Sequence, residues 1–204
     1  MREGLLIVVS GPSGVGKGTV CNCLLEEIPG LEVSVSVTTR SPREGEVNGT
    51  NYFFTDRSNF LKLVNEGYFL EWAEIYGDLY GTPEGLIEEK RSKGLDVLLE
   101  IDTQGARKVK KNYPAGVFIF LLPPTLEELK KRIINRKTEN KEDIEKRMSF
   151  ALEEIKEMKW YDYVIINDQV EEAVAKINAI VKAEKCRTAR NRFLINKYLK
   201  EASL

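Results

Sequence analysis

Nine residues near the start of the chain, Gly11-Pro12-Ser13-Gly14-Val15-Gly16-Lys17-Gly18-Thr19, set four glycines around one lysine. An apolar run, Leu5 to Val9, precedes them, and Val20, Leu24 and Ile28 follow at helical spacing. A strand, a glycine-rich turn and a helix are the context a phosphate-binding loop needs. Glycines let successive N–H groups point at one anion. The helix start adds roughly half a positive charge. Lys17 adds a whole one, aimed at the β- and γ-phosphates of a nucleotide. All nine residues are therefore candidate phosphate contacts. The strict pattern places Ser or Thr directly after the lysine, whereas here Gly18 stands there and Thr19 comes one later. The usual hydroxyl ligand for Mg²⁺ is thus missing. The ion is expected on nucleotide phosphates and waters, which Mg²⁺ tolerates, and Thr19 is expected to reach a phosphate.

Two further cation groups could handle phosphate. Arg40 and Arg43 lie three apart in a polar turn stiffened by Pro42. Arginine's planar fork suits bidentate phosphate contacts, although Glu44 and Glu46 would also balance a solvated turn. Arg132, Arg136 and Arg147 surround a polar stretch, Lys137 to Asp143. Arg132 and Arg136 share a helix face, so a solvated helix pair is the plain alternative. Glu100 and Asp102 end an apolar strand, either to organise water around a metal or to cap the next helix. The chain has no histidine. That excludes His-type zinc sites, Ser-His-Asp and Cys-His systems and any histidine base. The phosphate loop alone leaves a GTPase, an ATPase and a small-molecule kinase open.

The elements that must position these groups follow from pattern. Leu5 to Val9 reads as a buried parallel strand, and Gly16 to Glu27 as a helix. Val33, Val35 and Val37 alternate with polar residues, which predicts one half-buried strand. Arg40 to Asn51 is loop or hairpin, and Tyr52 to Thr55 a short strand. Ser58 is the expected cap of a helix to about Glu66. Tyr68 to Ile75 is strand-like, Tyr76-Gly77-Asp78 a turn, and Pro83 the first residue of a helix closed by Gly94. Strands at Val97 to Ile101, Val117 to Leu122 and Tyr163 to Ile166 then alternate with helices. The first of these helices spans Gln104 to Lys111. Thr125 opens another with a capping box. Ile144, Met148, Ala151, Leu152 and Ile155 keep helical spacing. Asp168 is the expected cap of a final helix using Val174, Ile177, Ile180 and Val181. Alternating strands and helices predict an α/β fold with a mostly parallel sheet covered on both faces. Residues 33–82 break the rhythm and read as an insertion.

The combination resembles the guanylate kinase family from residue 5 to about 180. Besides Gly11 to Lys17, the resemblance rests on Ser36 to Tyr52, which carries Thr38-Thr39-Arg40-Ser41-Pro42-Arg43-Glu44-Gly45-Glu46. It continues through Phe69-Leu70-Glu71-Trp72-Ala73, Tyr80-Gly81-Thr82, Glu100 to Gly105, Pro123-Pro124-Thr125 and Ile166-Asn167-Asp168. It implies a P-loop NTPase-type parallel core, residues 1–32 and 83–204, that binds ATP. An inserted mixed α+β domain, 33–82, binds GMP, and a helical lid, about 124–150, closes over both. By position, Arg40, Arg43, Tyr52 and Tyr80 look like the clamp on the GMP phosphate. Ser36, Glu71 and Thr82 resemble the guanine readers. Glu100 resembles a family position near the GMP base and the metal's water shell; Asp102 is expected either to organise water around Mg²⁺ or to cap the next helix. Arg132, Arg136 and Arg147 become lid arginines on the triphosphate, and Asn167 an adenine-side residue. Asn51 stands where the family often has an acid. The implied reaction is Mg²⁺-dependent transfer of the ATP γ-phosphoryl group to GMP.

Two alternatives are weighed. Another nucleoside monophosphate kinase is opposed by Glu71 with Thr82 and by the two-arginine clamp. A non-catalytic module resembling guanylate kinase is opposed by Lys17 in an intact glycine frame. Net charge is −1, so no global positive field favours nucleic acid. Cys21, Cys23 and Cys186 fit neither a zinc cluster nor a CxxC pair, and a reduced cytoplasmic setting is expected. Five apolar residues at the N-terminus are too few for a signal peptide or a membrane span. Lys182 to Leu204 carries seven basic and two acidic residues. Its Phe193, Leu194, Ile195, Tyr198 and Leu199 point to packing, on the same subunit or on a second copy in a homo-oligomer.

Overall fold

All five side chains of the first strand, Leu6–Ser10, are buried. Alternate residues serve opposite faces, as strand geometry requires. Leu6 and Val8 pack with Val97, Leu99, Phe118 and Phe120. Ile7 and Val9 pack with Val20, Leu24, Val174, Ile177 and Val181. A wholly apolar run is what a strand covered on both faces needs. Each buried aliphatic side chain contributes about 1.5–3 kcal/mol. The structure, a computed structural model, describes residues 3–75, 77–134 and 141–202, the first three of the last stretch as backbone. Arg136 therefore lies outside the described residues.

In chain order the elements are β1 (Leu6–Ser10), α1 (Lys17–Glu27), β2 (Leu31–Val33), β3 (Val37–Thr38) and β4 (Phe53–Phe54). Then come α2 (Arg57–Asn65), β5 (Phe69–Ile75), β6 (Asp78–Pro83), α3 (Glu84–Ser92) and β7 (Asp96–Glu100). The remainder is α4 (Thr103–Asn112), β8 (Val117–Leu122), α5 (Leu126–Ile134), α6 (Lys141–Lys156), β9 (Tyr163–Ile166), α7 (Val170–Cys186) and α8 (Arg192–Ala202). A five-stranded parallel sheet has the order β2-β7-β1-β8-β9, and a four-stranded sheet the order β4-β3-β6-β5. The glycine-rich loop leaves the C-terminal end of β1, between β7 and β8. Strand order reverses there, and open α/β sheets bind ligands at that crevice.

Several elements differ from expectation. The Val33–Val37 alternation is not one strand. Val33 pairs with Leu98 in the parallel sheet, whereas Val37 pairs with Phe53 and Gly81 in the other. Period two records which face a residue takes, not whether a ladder continues. The Arg40–Asn51 segment is no hairpin, because β3 and β4 run parallel. Asp56, not Ser58, caps α2, accepting from the Asn59 N–H at 2.8 Å; the Ser58 hydroxyl donates to the same carboxylate. Helix α7 starts behind Gln169 with no side-chain cap, so Asp168 does not fill that role. Nor is α7 the last helix. Thr125 does cap α5, accepting from the Glu128 N–H at 3.0 Å, but the Glu128 carboxylate turns to Arg132 instead of completing the box. In α6, Ala151 is buried while Leu152 is 41% exposed. On α8, Phe193 and Tyr198 are 60% and 63% exposed. No helix among the described residues is long and apolar enough to cross a membrane.

Candidate active site

The loop is held in shape from below. Gly16, at φ +95°, precedes α1, and a Cβ there would stand 2.8 Å from the Asn167 side-chain nitrogen. Asn167 is 2% exposed, and its amide donates to the Val15 carbonyl at 2.7 Å. Arg132 approaches from α5, donating to the Asn167 carbonyl at 3.1 Å and the Val15 carbonyl at 3.4 Å. Thus two residues read as nucleotide contacts meet at the loop, both bonded to the Val15 carbonyl. Lys17 curls over it, donating to the Gly11 carbonyl at 2.6 Å. Thr19 is exposed and Gly18 half-buried. A Cβ at Gly18 would lie 3.7 Å from both Glu100 oxygens, so the Glu100 carboxylate stands beside the position where the strict motif carries a hydroxyl.

A cleft of about 260 Å³ opens beside Lys17. It gathers Ser36, Arg43, Tyr52, Glu71, Tyr80, Glu100, Asp102 and Arg147 from both sheets and α6. An adjoining hollow of about 450 Å³ continues along Gly14, Gly16, Lys17 and Gly18, with Phe150 and Glu154 on its far wall. Glu71 and Thr82 are cross-strand partners on β5 and β6. Thr82 donates its hydroxyl to Glu71 at 2.6 Å, and both are buried. Burial raises the Glu71 pKa to about 7, with Asp102 nearby adding to the rise and Thr82 opposing it. Burial also raises Asp102, whose carboxylate caps α4 by accepting from the Gly105 N–H at 2.7 Å.

Arg40 is committed within its own loop. Its guanidinium makes two bonds to Glu46, at 2.8 and 3.0 Å, and stands 5.4 Å from the centre of the Tyr52 ring. The pairing raises the Arg40 pKa and lowers that of Glu46. Glu46 also accepts from the Arg43 N–H at 2.7 Å, so one acid sets the turn carrying both arginines. Sequence reading placed Glu46 in the motif but gave it no role beyond charge balance. It missed Glu154 altogether. That α6 carboxylate accepts from the Ser13 N–H at 3.2 Å, and burial raises its pKa. The one available signal was its place two helical turns after Arg147, on the same face of α6.

Among the described residues no cluster of three or more Asp, Glu or Cys side chains is poised to hold a metal. A wider hollow of about 600 Å³, around Gly4, Arg91, Tyr113 and Arg190, lies at the opposite end of the parallel sheet. It holds none of the predicted site residues, and its Arg91 and Arg190 are already bonded to Glu3 and Glu184.

A phosphate loop at the switch point of a parallel sheet, facing a second sheet across an ionisable cleft, defines a class. This is a P-loop α/β nucleotide-binding protein with a second sheet facing the loop across a cleft. The sequence profile described as guanylate kinase matches residues 3–184. The chain belongs to the guanylate kinase family. It is 52% identical over 201 residues to the guanylate kinase of Caldanaerobacter subterraneus subsp. tengcongensis, covering 98% of each chain. It is 54% identical over 197 residues to that of Halalkalibacterium halodurans, covering 97% of this chain and 95% of the relative. The crystal structure of guanylate kinase from Anaplasma phagocytophilum superposes with a TM-score of 0.79. It is 39% identical and covers 93% of this chain and 90% of the other.

Proposed function

We propose that the chain transfers the γ-phosphoryl group of ATP to GMP, reversibly, giving ADP and GDP. The observation that carries this reading is the shared cleft. Lys17 of the phosphate loop and the buried Glu71 line the same 260 Å³ space. A carboxylate accepts from both the N1–H and the 2-amino group of guanine. Adenine presents an acceptor at N1 and would leave the carboxylate unpaired, which costs several kcal/mol. Thr82 fixes one Glu71 oxygen and Ser36 lies at the same wall. Arg43, Tyr52 and Tyr80 hold the GMP phosphate, and Glu46 keeps Arg40 beside them.

The acceptor is a phosphate oxygen, already ionised at neutral pH, so no general base is needed. Transfer then needs alignment and positive charge on the equatorial oxygens. Gly11 to Thr19 hold the donor phosphates, and Lys17 supplies a cation at the β- and γ-groups. Arg147 reaches the cleft from α6, and Arg132, held against the loop at the Val15 carbonyl, is proposed as a lid cation for the triphosphate. Arg136 is proposed as a further lid cation. Glu100 stands beside Gly18 and Asp102 lines the same hollow, which fits Mg²⁺ held by phosphates and waters and not by a protein cage. When bound, that ion neutralises charge on the transferring group. Asn167 supports the loop at the adenine side. The setting proposed is purine nucleotide metabolism in the cytoplasm, supported by three unpaired cysteines.

Calorimetric titration tests the base reading. GMP is expected to bind the protein at least tenfold more tightly than AMP, and Glu71→Gln to narrow that ratio about tenfold or more. Equal binding of GMP and AMP by the unaltered protein would overturn it.

A further inference from the structure

Gly105 occupies the first turn of α4 and is buried. Its backbone is ordinary right-handed helix, not one of the glycines at positive φ. Glycine weakens a helix relative to alanine, so backbone geometry gives no reason for it here. Space does. A Cβ at this position would stand 2.7 Å from one Glu71 oxygen, and 3.1 Å from both the Glu71 carboxyl carbon and an Asp102 oxygen. The other Glu71 oxygen is tied to Thr82 at 2.6 Å. The carboxylate is therefore gripped between a strand neighbour and the first turn of a helix from the other sheet's layer. The same helix reaches back along β5. Asn112 donates to the Leu70 carbonyl at 3.1 Å, and Lys108 contacts the Trp72 carbonyl and stands 5.0 Å from the centre of its ring. Register between α4 and β5 is thus fixed on both sides of Glu71.

We infer that Gly105 is a specificity-determining positioning residue: lacking a side chain, it seats the Glu71 carboxylate against α4 in the orientation that reads the acceptor base. This rests on the proposal that Glu71 reads guanine. Gly105 lines neither the cleft beside Lys17 nor the hollow that continues from it. It acts through the rotamer of Glu71, and the helix forgoes a better helix former to allow it.

The test is a double-mutant cycle on the full chain. Gly105→Ala is expected to weaken GMP binding at least tenfold, leave ATP binding within about twofold, and lower the melting temperature by no more than about 5 °C, because the better helix former offsets part of the overpacking. In the Glu71→Gln background, where the carboxylate is already lost, adding Gly105→Ala is expected to change GMP binding less than about twofold. Equal losses in both backgrounds would overturn the inference, as would a parallel loss of ATP binding and thermal stability. If Glu71→Gln weakens GMP binding but Gly105→Ala does not, this inference alone fails. If Glu71→Gln leaves GMP binding untouched, the base reading fails and takes the inference with it.

Discussion

Glu71 answers to two demands of opposite charge. Burial favours its neutral acid and raises its pKa to about 7. Accepting from two guanine N–H donors favours the carboxylate. On the proposed reading of Glu71, GMP binding near neutral pH is expected to release a proton, with affinity rising about tenfold from pH ~6 to pH ~8. The GMP phosphate titrates at the lower end of this range, so Glu71→Gln is the control. It should retain only the phosphate's share of the slope. Stability follows the opposite course. The folded chain holds this proton more tightly than the unfolded chain, where the ordinary value is 4.5. The contribution is complete below about 4.5 and is lost as pH rises through about 7, on the order of 3 kcal/mol in all. Melting curves across that window should show a fall that Glu71→Gln reduces. A flat difference between the two proteins would contradict the burial argument.

At the scale of elements, the phosphate loop was legible because its chemistry is local: glycines and a lysine at fixed spacing between a strand and a helix. What braces the loop was not. Asn167 and Arg132 are distant in sequence yet both bond the Val15 carbonyl, and no periodicity encodes that meeting. The Glu71–Thr82 pair depends on cross-strand register, which composition does not carry, so it was reached only through the family resemblance. The split of Val33 and Val37 between two sheets was hidden for the same reason. Asn167→Ala removes the amide bond to Val15 and empties a buried site. It is expected to cost about 1–3 kcal/mol of stability and to weaken ATP binding by about tenfold, with GMP binding within about twofold. Calorimetry and thermal melting measure both. Unchanged ATP affinity would show that the loop keeps its shape without the brace.

For the whole molecule, the cleft lies between two sheets and α6, which contributes Arg147, Phe150 and Glu154 from one face. Phosphoryl transfer to GMP competes with transfer to water, so the site must exclude water before reaction. Closure is expected when ATP and GMP are both bound. A non-hydrolysable ATP analogue with GMP should reduce the radius of gyration in solution scattering more than either alone. Without GMP, ADP release from ATP should fall below about 1% of the transfer rate. Fast hydrolysis by the binary ATP complex would contradict a site assembled by closure.

One assay bears most directly on the central claim, that a P-loop lysine and a base-reading glutamate serve one phosphoryl transfer. ADP formation is followed with ATP, Mg²⁺ and GMP, AMP, UMP or CMP in turn, for the unaltered chain and for Lys17→Ala. Turnover with GMP is expected to be rapid, at least about a hundredfold faster than with the others, and to fall about a thousandfold in the variant. Preferred turnover of another monophosphate, or an active Lys17→Ala protein, would contradict it.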